Sequence, residues 1–486
     1  MSKEIISLKP ESVWKNFYSL TQIPRPSKSE EKIQAFMAKF GRDLGLETIV
    51  DEVGNVIIRK PATPGMEKCK GVVLQSHLDM VPQKNSDTKH DFINDPIDAY
   101  IDGEWVTARG TTLGADNGMG VAAIMAILES KDIPHGPIEA LLTSDEETGM
   151  TGAFGLKGGI LKGDILLNLD SEDEGELYVG CAGGIDANVE FKYKVEDVPA
   201  GHVAYKLAIK GLKGGHSGLE IILGRGNSNK LLFRFLRHST KEHDLRLASV
   251  DGGSLRNAIP RESFAVVTVP AAKASMFEAF VKESLAVYKK ELALVEPDIT
   301  FTSEKTDLPK VVIEAAVTNK VINAIYGCPN GVIRMSDAMP GLVETSTNLA
   351  RVYSADGKLI VQCLLRSSVD SAKEDLAQMV SCVFELAGAT VVLSGAYPGW
   401  KPDMNSVILN HMKAVYNKKY GKVPDVKAIH AGLECGLLGG VYPNWDMISF
   451  GPTIRFPHSP DEKVNVASVV KFWDFLVETL KSIPQK

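Results

Sequence analysis

The chain has 486 residues, 44% hydrophobic and 24% charged, a composition of soluble globular proteins and enough length for two or three domains. Its 54 Lys and Arg against 61 Asp and Glu give a formal net charge of −7, which lacks the basic footprint of a nucleic-acid binder. The longest continuous apolar run, Val121 to Leu128, is far too short to span a membrane. The opening MSKEIISLKPESVW has no apolar stretch of signal-peptide length, and the six Cys (69, 181, 328, 363, 382 and 435) include no CxxC pair. We therefore expect reduced thiols and a cytoplasmic protein with neither membrane nor nucleic acid as partner.

In chain order, helical patterns appear at Glu11–Ile23 and Ser29–Leu44, followed by a hairpin, TIVDEVGNVIIRK, turning at Gly54-Asn55. The short apolar runs GVVLQS (71–76), IEALLTS (138–144) and DILLNL (164–169) read as interior strands, with a helix GMGVAAIMAILES between the first two. From about residue 186 the strands alternate: HVAYKLAIKGL, ESFAVVTVP and KLIVQCLLRSS, with helices near Asn227–His238, Ala274–Glu291 and Ile313–Ile325. Alternation predicts an antiparallel sheet with one covered face. After about residue 398 the α/β pattern returns, with a helix in NSVILNHMKAVYNKKY, a strand in VYPNWDMISFGPT and a closing helix in VASVVKFWDFLVETL. The expected architecture is an α/β domain with a mostly parallel, covered sheet (residues 1–185 and 399–486), interrupted by an inserted α+β domain (186–398).

Polar clusters follow the apolar runs, where open α/β sheets place their sites. They are His77-Leu78-Asp79, Asp116-Asn117-Gly118, Asp145-Glu146-Glu147 and Asp170, joined by His458 in FPHSPDE. His77 and Asp79, two apart, point to one side of a strand, so the carboxylate can orient the ring. Taken singly, each has a plainer reading: a salt-linked core histidine, an N-cap at Asp116, a surface turn at Glu146-Glu147, a turn acid at Asp170, a loop histidine at His458. Ser459 and Glu462 have capping-box spacing with Pro460 between them, which predicts a helix start there. Together, two His and three carboxylates suit two divalent ions, zinc by donor type, with manganese or cobalt as substitutes. Adjacent Glu residues can divide metal binding and proton transfer between them, and such a pair of ions supports amide hydrolysis.

The stretches QSHLDMVP, TTLGADNGMG, TSDEETGMTGA, LNLDSEDEGELYVGCAGG, GLKGGHSG, LRNAIPRE, HAGLECG and GPTIRFPHSPDE resemble the aminoacyl-histidine dipeptidases. These are the bacterial Xaa-His dipeptidases, also called peptidase D or bacterial carnosinases, of the co-catalytic zinc peptidase clan. The resemblance implies a catalytic domain with an inserted lid and dimerisation domain, two divalent metal ions per subunit, a homodimer and a short peptide substrate. By the same resemblance Asp116 bridges the ions, His77 and Asp170 complete one and Glu147 and His458 the other. Asp79 then supports His77, and Glu146 is the general base. Five further residues are candidate substrate contacts: His216, Asn257, Arg366, His430 and Glu434. Cys435 reads as a small buried residue, not a nucleophile. The expected activity is metal-dependent hydrolysis of dipeptides, including Xaa-His. The alternatives are a tripeptidase, an N-acyl amino-acid deacylase, a desuccinylase or a non-catalytic peptide-binding protein on the same scaffold; a two-metal phosphohydrolase would need basic residues that are not seen near the acids.

Overall fold

The structure, a computed structural model, describes residues 3–486. It divides into two compact units. One runs to Gly180 and resumes as Pro402–Ala428 and Leu433–Lys486; the other comprises Cys181–Lys401 and Ile429–Gly432. The second unit thus starts a few residues before, and ends a few after, the 186–398 span expected from sequence, and takes four residues from the later part of the chain.

The first unit is built on an eight-stranded sheet in the order Glu47–Val50, Val56–Lys60, Ile138–Thr143, Val72–His77, Ile165–Asn168, Asp446–Ser449, Glu176–Cys181 and Asp425–Ile429. Its four central strands, 138–143, 72–77, 165–168 and 446–449, are mutually parallel. The pairings beyond them, to 56–60 on one side and 176–181 on the other, are antiparallel. Every residue of Val72–His77 and Ile138–Thr143 is buried, which explains their unbroken apolar runs: both faces of the strands are covered. Helix Ala115–Glu129 packs on strand 72–77 and is buried along almost its whole length, so it too is apolar all round. Helix Val407–Tyr420 packs on strand 446–449 and on the closing helix Val466–Lys481. A small four-stranded sheet joins the hairpin Ile454–Arg455/Lys463–Asn465 to Trp105–Ala108 and Ala99–Asp102. It fixes the loop that carries His458.

The second unit has a nine-stranded antiparallel sheet that includes His202–Lys210, Ser263–Pro270, Val343–Ala355, Lys358–Ser367 and Gly183–Lys192. Helices Ser228–Glu242, Ala274–Glu291, Ala315–Gly327 and Asp370–Leu386 contribute Phe235, Phe277, Ile325 and Phe384 to its core. The alternation read from the sequence is the alternation of this sheet between helix-covered and open faces.

Two local expectations are corrected. No helix starts at Pro460: residues 456–461 form turns, and the next helix begins at Val466, capped by the Asn465 side chain accepting from Ser468 N–H. Asp116 is not an N-cap either; Gly114 holds that position at φ +71°, and Asp116 has non-helical dihedrals of −81° and 109°.

Leu74 lies fully buried in the central strand. Leu74→Ala should lower the unfolding free energy by about 2–5 kcal/mol, read from urea melts, through lost burial plus the cavity left behind.

Candidate metal centre

The carboxyl ends of the parallel strands converge on one edge of the sheet. His77 is the last residue of its strand and registers with Thr143, after which the chain turns into Glu146 and Glu147. Asp170 follows Asn168, and strand 446–449 leads into the hairpin with His458. Asp116 reaches the same place at the start of the buried helix.

One carboxylate joins the rest. Asp116 Oδ1 lies 3.1 Å from His77 Nε2, and its Oδ2 lies 3.1 Å from His458 Nε2. His77 Nε2 is also 3.3 Å from Asp170 Oδ1, and His458 Nε2 is 2.9 Å from Glu147 Oε2. Two donor clusters share Asp116, His77–Asp116–Asp170 and Asp116–Glu147–His458, a third joins His77, Glu146 and Glu147, and within each the ligating atoms lie within 4.8 Å of one another. All five candidate ligand residues are thus brought together, with Asp116 common to the first two clusters.

The surroundings position these groups. Asp79, fully buried, has Oδ1 3.3 Å from His77 Nδ1 and accepts hydrogen bonds from the Glu146 N–H (3.0 Å), the Glu147 N–H (3.2 Å) and the Ser27 hydroxyl (2.8 Å). One carboxylate therefore sets both the ring and the Glu146-Glu147 turn. Asn117 donates to the Leu169 carbonyl at 2.8 Å and to Asp170. Arg25, buried, donates to the carbonyls of Leu78, Asp79 and Gly114. A Cβ at Gly114 or at Gly118 would stand 2.6 Å from its Nη2, so these glycines make room for the guanidinium. Glu462 accepts from four successive N–H groups, Leu113 (2.8 Å), Gly114 (3.0 Å), Ala115 (2.7 Å) and Asp116 (3.2 Å).

The charge balance fits cations. Asp116, Glu146, Glu147 and Asp170 crowd a site whose nearest positive groups are imidazoles. Burial, then neighbouring acids, pushes Glu146 well above its ordinary value and raises Asp170 and Glu147. Hydrogen bonds to Asp116 and Glu147 hold His458 protonated up to about 11. On His77, burial is outweighed by Asp170 and Asp116, and its pKa rises well above the ordinary value. Burial also disfavours the Asp79 anion, but the hydrogen bond and charge of His77 prevail and bring it to about 2. Glu147 Oε1 is buried with no hydrogen-bond partner. A donor set that draws protons onto both imidazoles and leaves a carboxylate oxygen unmatched fits two divalent ions.

The remaining candidates fall into two places. Glu434, 1% exposed, belongs to the first unit. Its Oε2 accepts from Gln75 (2.6 Å) and Thr143 (2.8 Å), its Oε1 has no partner, and burial raises it to about 7. Gln75 also accepts from Asn168, whose own carbonyl oxygen accepts from Ser449, so a polar chain crosses the sheet beneath His77. His216, Asn257, Arg366 and His430 lie in the second unit. His216 Nδ1 accepts from the Gly218 (3.2 Å) and Leu219 (3.0 Å) N–H groups, which leaves its proton on Nε2. Asn257 lines the same cavity, of about 630 Å³, as His216. Arg366 donates to the Tyr397 hydroxyl at 3.1 Å and keeps a buried Nε without a partner. His430 lies 2.7 Å from the Ser346 hydroxyl, and burial, then the charge of Arg366, lowers its pKa to about 3. Sequence reading missed Arg25, Gln75 and the role of Glu462, because their partners are distant backbone groups with no local signature.

Asp79→Asn would present an amide hydrogen to donors that now meet a carboxylate. Metal affinity measured by equilibrium dialysis should fall about 10–100-fold while the fold is retained.

The chain matches Peptidase family M20/M25/M40 over residues 73–482. It is 49% identical over 483 residues to the cytosol non-specific dipeptidase of Escherichia coli (strain K12), covering 99% of this chain and 100% of that protein. The crystal structure of aminoacylhistidine dipeptidase from Vibrio alginolyticus superposes with a TM-score of 0.96 at 53% identity, covering 100% of this chain and 99% of that one. Aminopeptidase PepT from Bacillus cereus, at 16% identity and a TM-score of 0.57 over 98% of both chains, shares the fold. With a family match that spans most of its length and these relatives around it, the chain belongs to Peptidase family M20/M25/M40.

Proposed function

We propose that this peptidase hydrolyses dipeptides, those ending in His among them, in the cytoplasm. One observation carries the reading: a single carboxylate, Asp116, shared by two three-residue donor clusters, with Glu146 beside them. The breadth of the reading follows the relatives, one named for non-specific dipeptide cleavage and the other for aminoacylhistidine.

His77, Asp116 and Asp170 would hold one ion and Asp116, Glu147 and His458 the other, zinc by donor type, with manganese or cobalt as substitutes. Bound there, the ions supply Lewis acidity toward the scissile carbonyl and acidify water. The protein's own residues do the rest. Asp79 fixes the tautomer of His77. Glu146 accepts the proton of the attacking water on its carboxylate and returns it to the leaving amine; the burial that raises its pKa makes it the stronger base. His216, protonated on Nε2, is suited to donate to the carbonyl oxygen as negative charge develops there. Arg366, with Asn257, is suited to the terminal carboxylate of the peptide. Glu434, with one unmatched oxygen, would receive the substrate's free ammonium, and neutral His430 is a further candidate substrate contact. The second unit takes the lid and dimerisation roles in this reading, and the protein acts as a homodimer.

Glu146→Gln should bind both ions yet lose about 10²–10⁴-fold in kcat on a His-terminated dipeptide. In the parent protein, chelation should abolish cleavage and added zinc, manganese or cobalt restore it. Parallel assays with tripeptides and N-acetyl amino acids decide the substrate class: preference for either over dipeptides replaces the dipeptidase reading, and full activity of Glu146→Gln removes Glu146 as base.

A further inference from the structure

We propose that Glu462 is a positioning residue that locks the His458 hairpin onto the Asp116 turn, and so builds the Asp116–Glu147–His458 half of the centre. This rests on the dinuclear reading above. Glu462 is 2% exposed and lies four residues after His458, inside the same hairpin connection. Its two oxygens take the N–H groups of Leu113 to Asp116, the turn that leads into the buried helix, including its first N–H groups that a helix start otherwise leaves unmatched. No side chain caps that helix locally, so the cap comes from 346 residues away. The Thr107 hydroxyl donates to the Glu462 carbonyl at 2.7 Å, which ties the same residue to the strand behind the hairpin.

The two halves of the centre differ in how firmly they are built. His77 closes a buried central strand, and Asp170 is gripped by Asn117 just beyond another. Neither of these two residues is hydrogen-bonded to Glu462; only Asp116, common to both halves, links them to it. His458 instead stands on a loop, with its side chain half exposed and φ at +60°, a conformation unfavourable for a residue with a Cβ. Its hairpin arms are two and three residues long. Without the Glu462 carboxylate, the His458 loop would keep its place in the small four-stranded sheet but lose its direct tie to the Asp116 turn. A plain helix cap would affect overall stability; a clamp between two ligand-bearing loops affects one ion more than the other.

The test is zinc binding to the full-length chain, by isothermal titration and equilibrium dialysis, in Glu462→Gln and Glu462→Asp. The parent should bind two ions. In Glu462→Gln, an amide would meet N–H donors, so the weaker-bound ion should lose at least about tenfold in affinity while the tighter one stays within about twofold. Glu462→Asp keeps the charge and shortens the reach; it should show the same asymmetry at smaller size, and it carries the test if the Gln variant fails to fold by circular dichroism. Wild-type affinity for both ions in either folded variant, or equal weakening of both, overturns the clamp. A parent chain that binds fewer than two ions removes the dinuclear reading, and the clamp with it.

Discussion

The position of one carboxylate organises this protein. Asp116 stands between two imidazoles, one at the end of a buried strand and one on an exposed hairpin, with an oxygen for each. Burial alone would drive such a group to take up a proton, yet hydrogen bonds from His458 and His77 hold its pKa well below the usual range. The nearby scaffold serves this placement. Gly114 supplies a left-handed turn, Arg25 holds the turn's carbonyl, Glu462 gathers its N–H groups, and Asn117 links it to Asp170.

The surplus of acid explains why these groups lie where they do. Buried carboxylates without partners are costly, and adjacent ones repel. Asp79 is matched by N–H groups, a hydroxyl and a histidine, and Glu462 by four N–H groups. Glu146, Glu147 and Asp170 are not matched to that degree; burial and the neighbouring acids raise them, a crowding that divalent cations would relieve. A polar relay from Thr143 through Glu434, Gln75 and Asn168 to Ser449 lies beside the site, joining four strands of the sheet through the first residue of helix Glu434–Val441.

Much of this was legible in the sequence, for a physical reason. Strands covered on both faces must be apolar throughout, so VVLQSH, IEALLT and ILLN stood out, and the polar residues directly after them marked the functional edge. His77, Asp79, Asp116, Glu146, Glu147 and Asp170 were singled out as candidates by that position, and the resemblance added the pairing of Asp116 with His458. What stayed hidden acts over long range. Glu462 had the spacing of a local capping box, but it caps a helix that begins more than 300 residues earlier, and spacing carries no information about so distant a backbone. Arg25 lay in a proline-flanked turn whose carbonyl partners are 53 to 89 residues away. His430 and Glu434, four apart in sequence and both candidate substrate contacts, belong to different units.

The sheet order also bears on how the molecule is made. Strand 446–449 pairs with 165–168, and the second unit, nearly all of it a continuous stretch of chain, is synthesised between them. That unit has its own core and can fold while the ribosome is still working. The first unit cannot complete its sheet, and the last of its candidate metal ligands does not exist, until more than nine-tenths of the chain has been translated. The candidate centre therefore assembles only once His458 has been made, so a chain interrupted before it carries an incomplete centre.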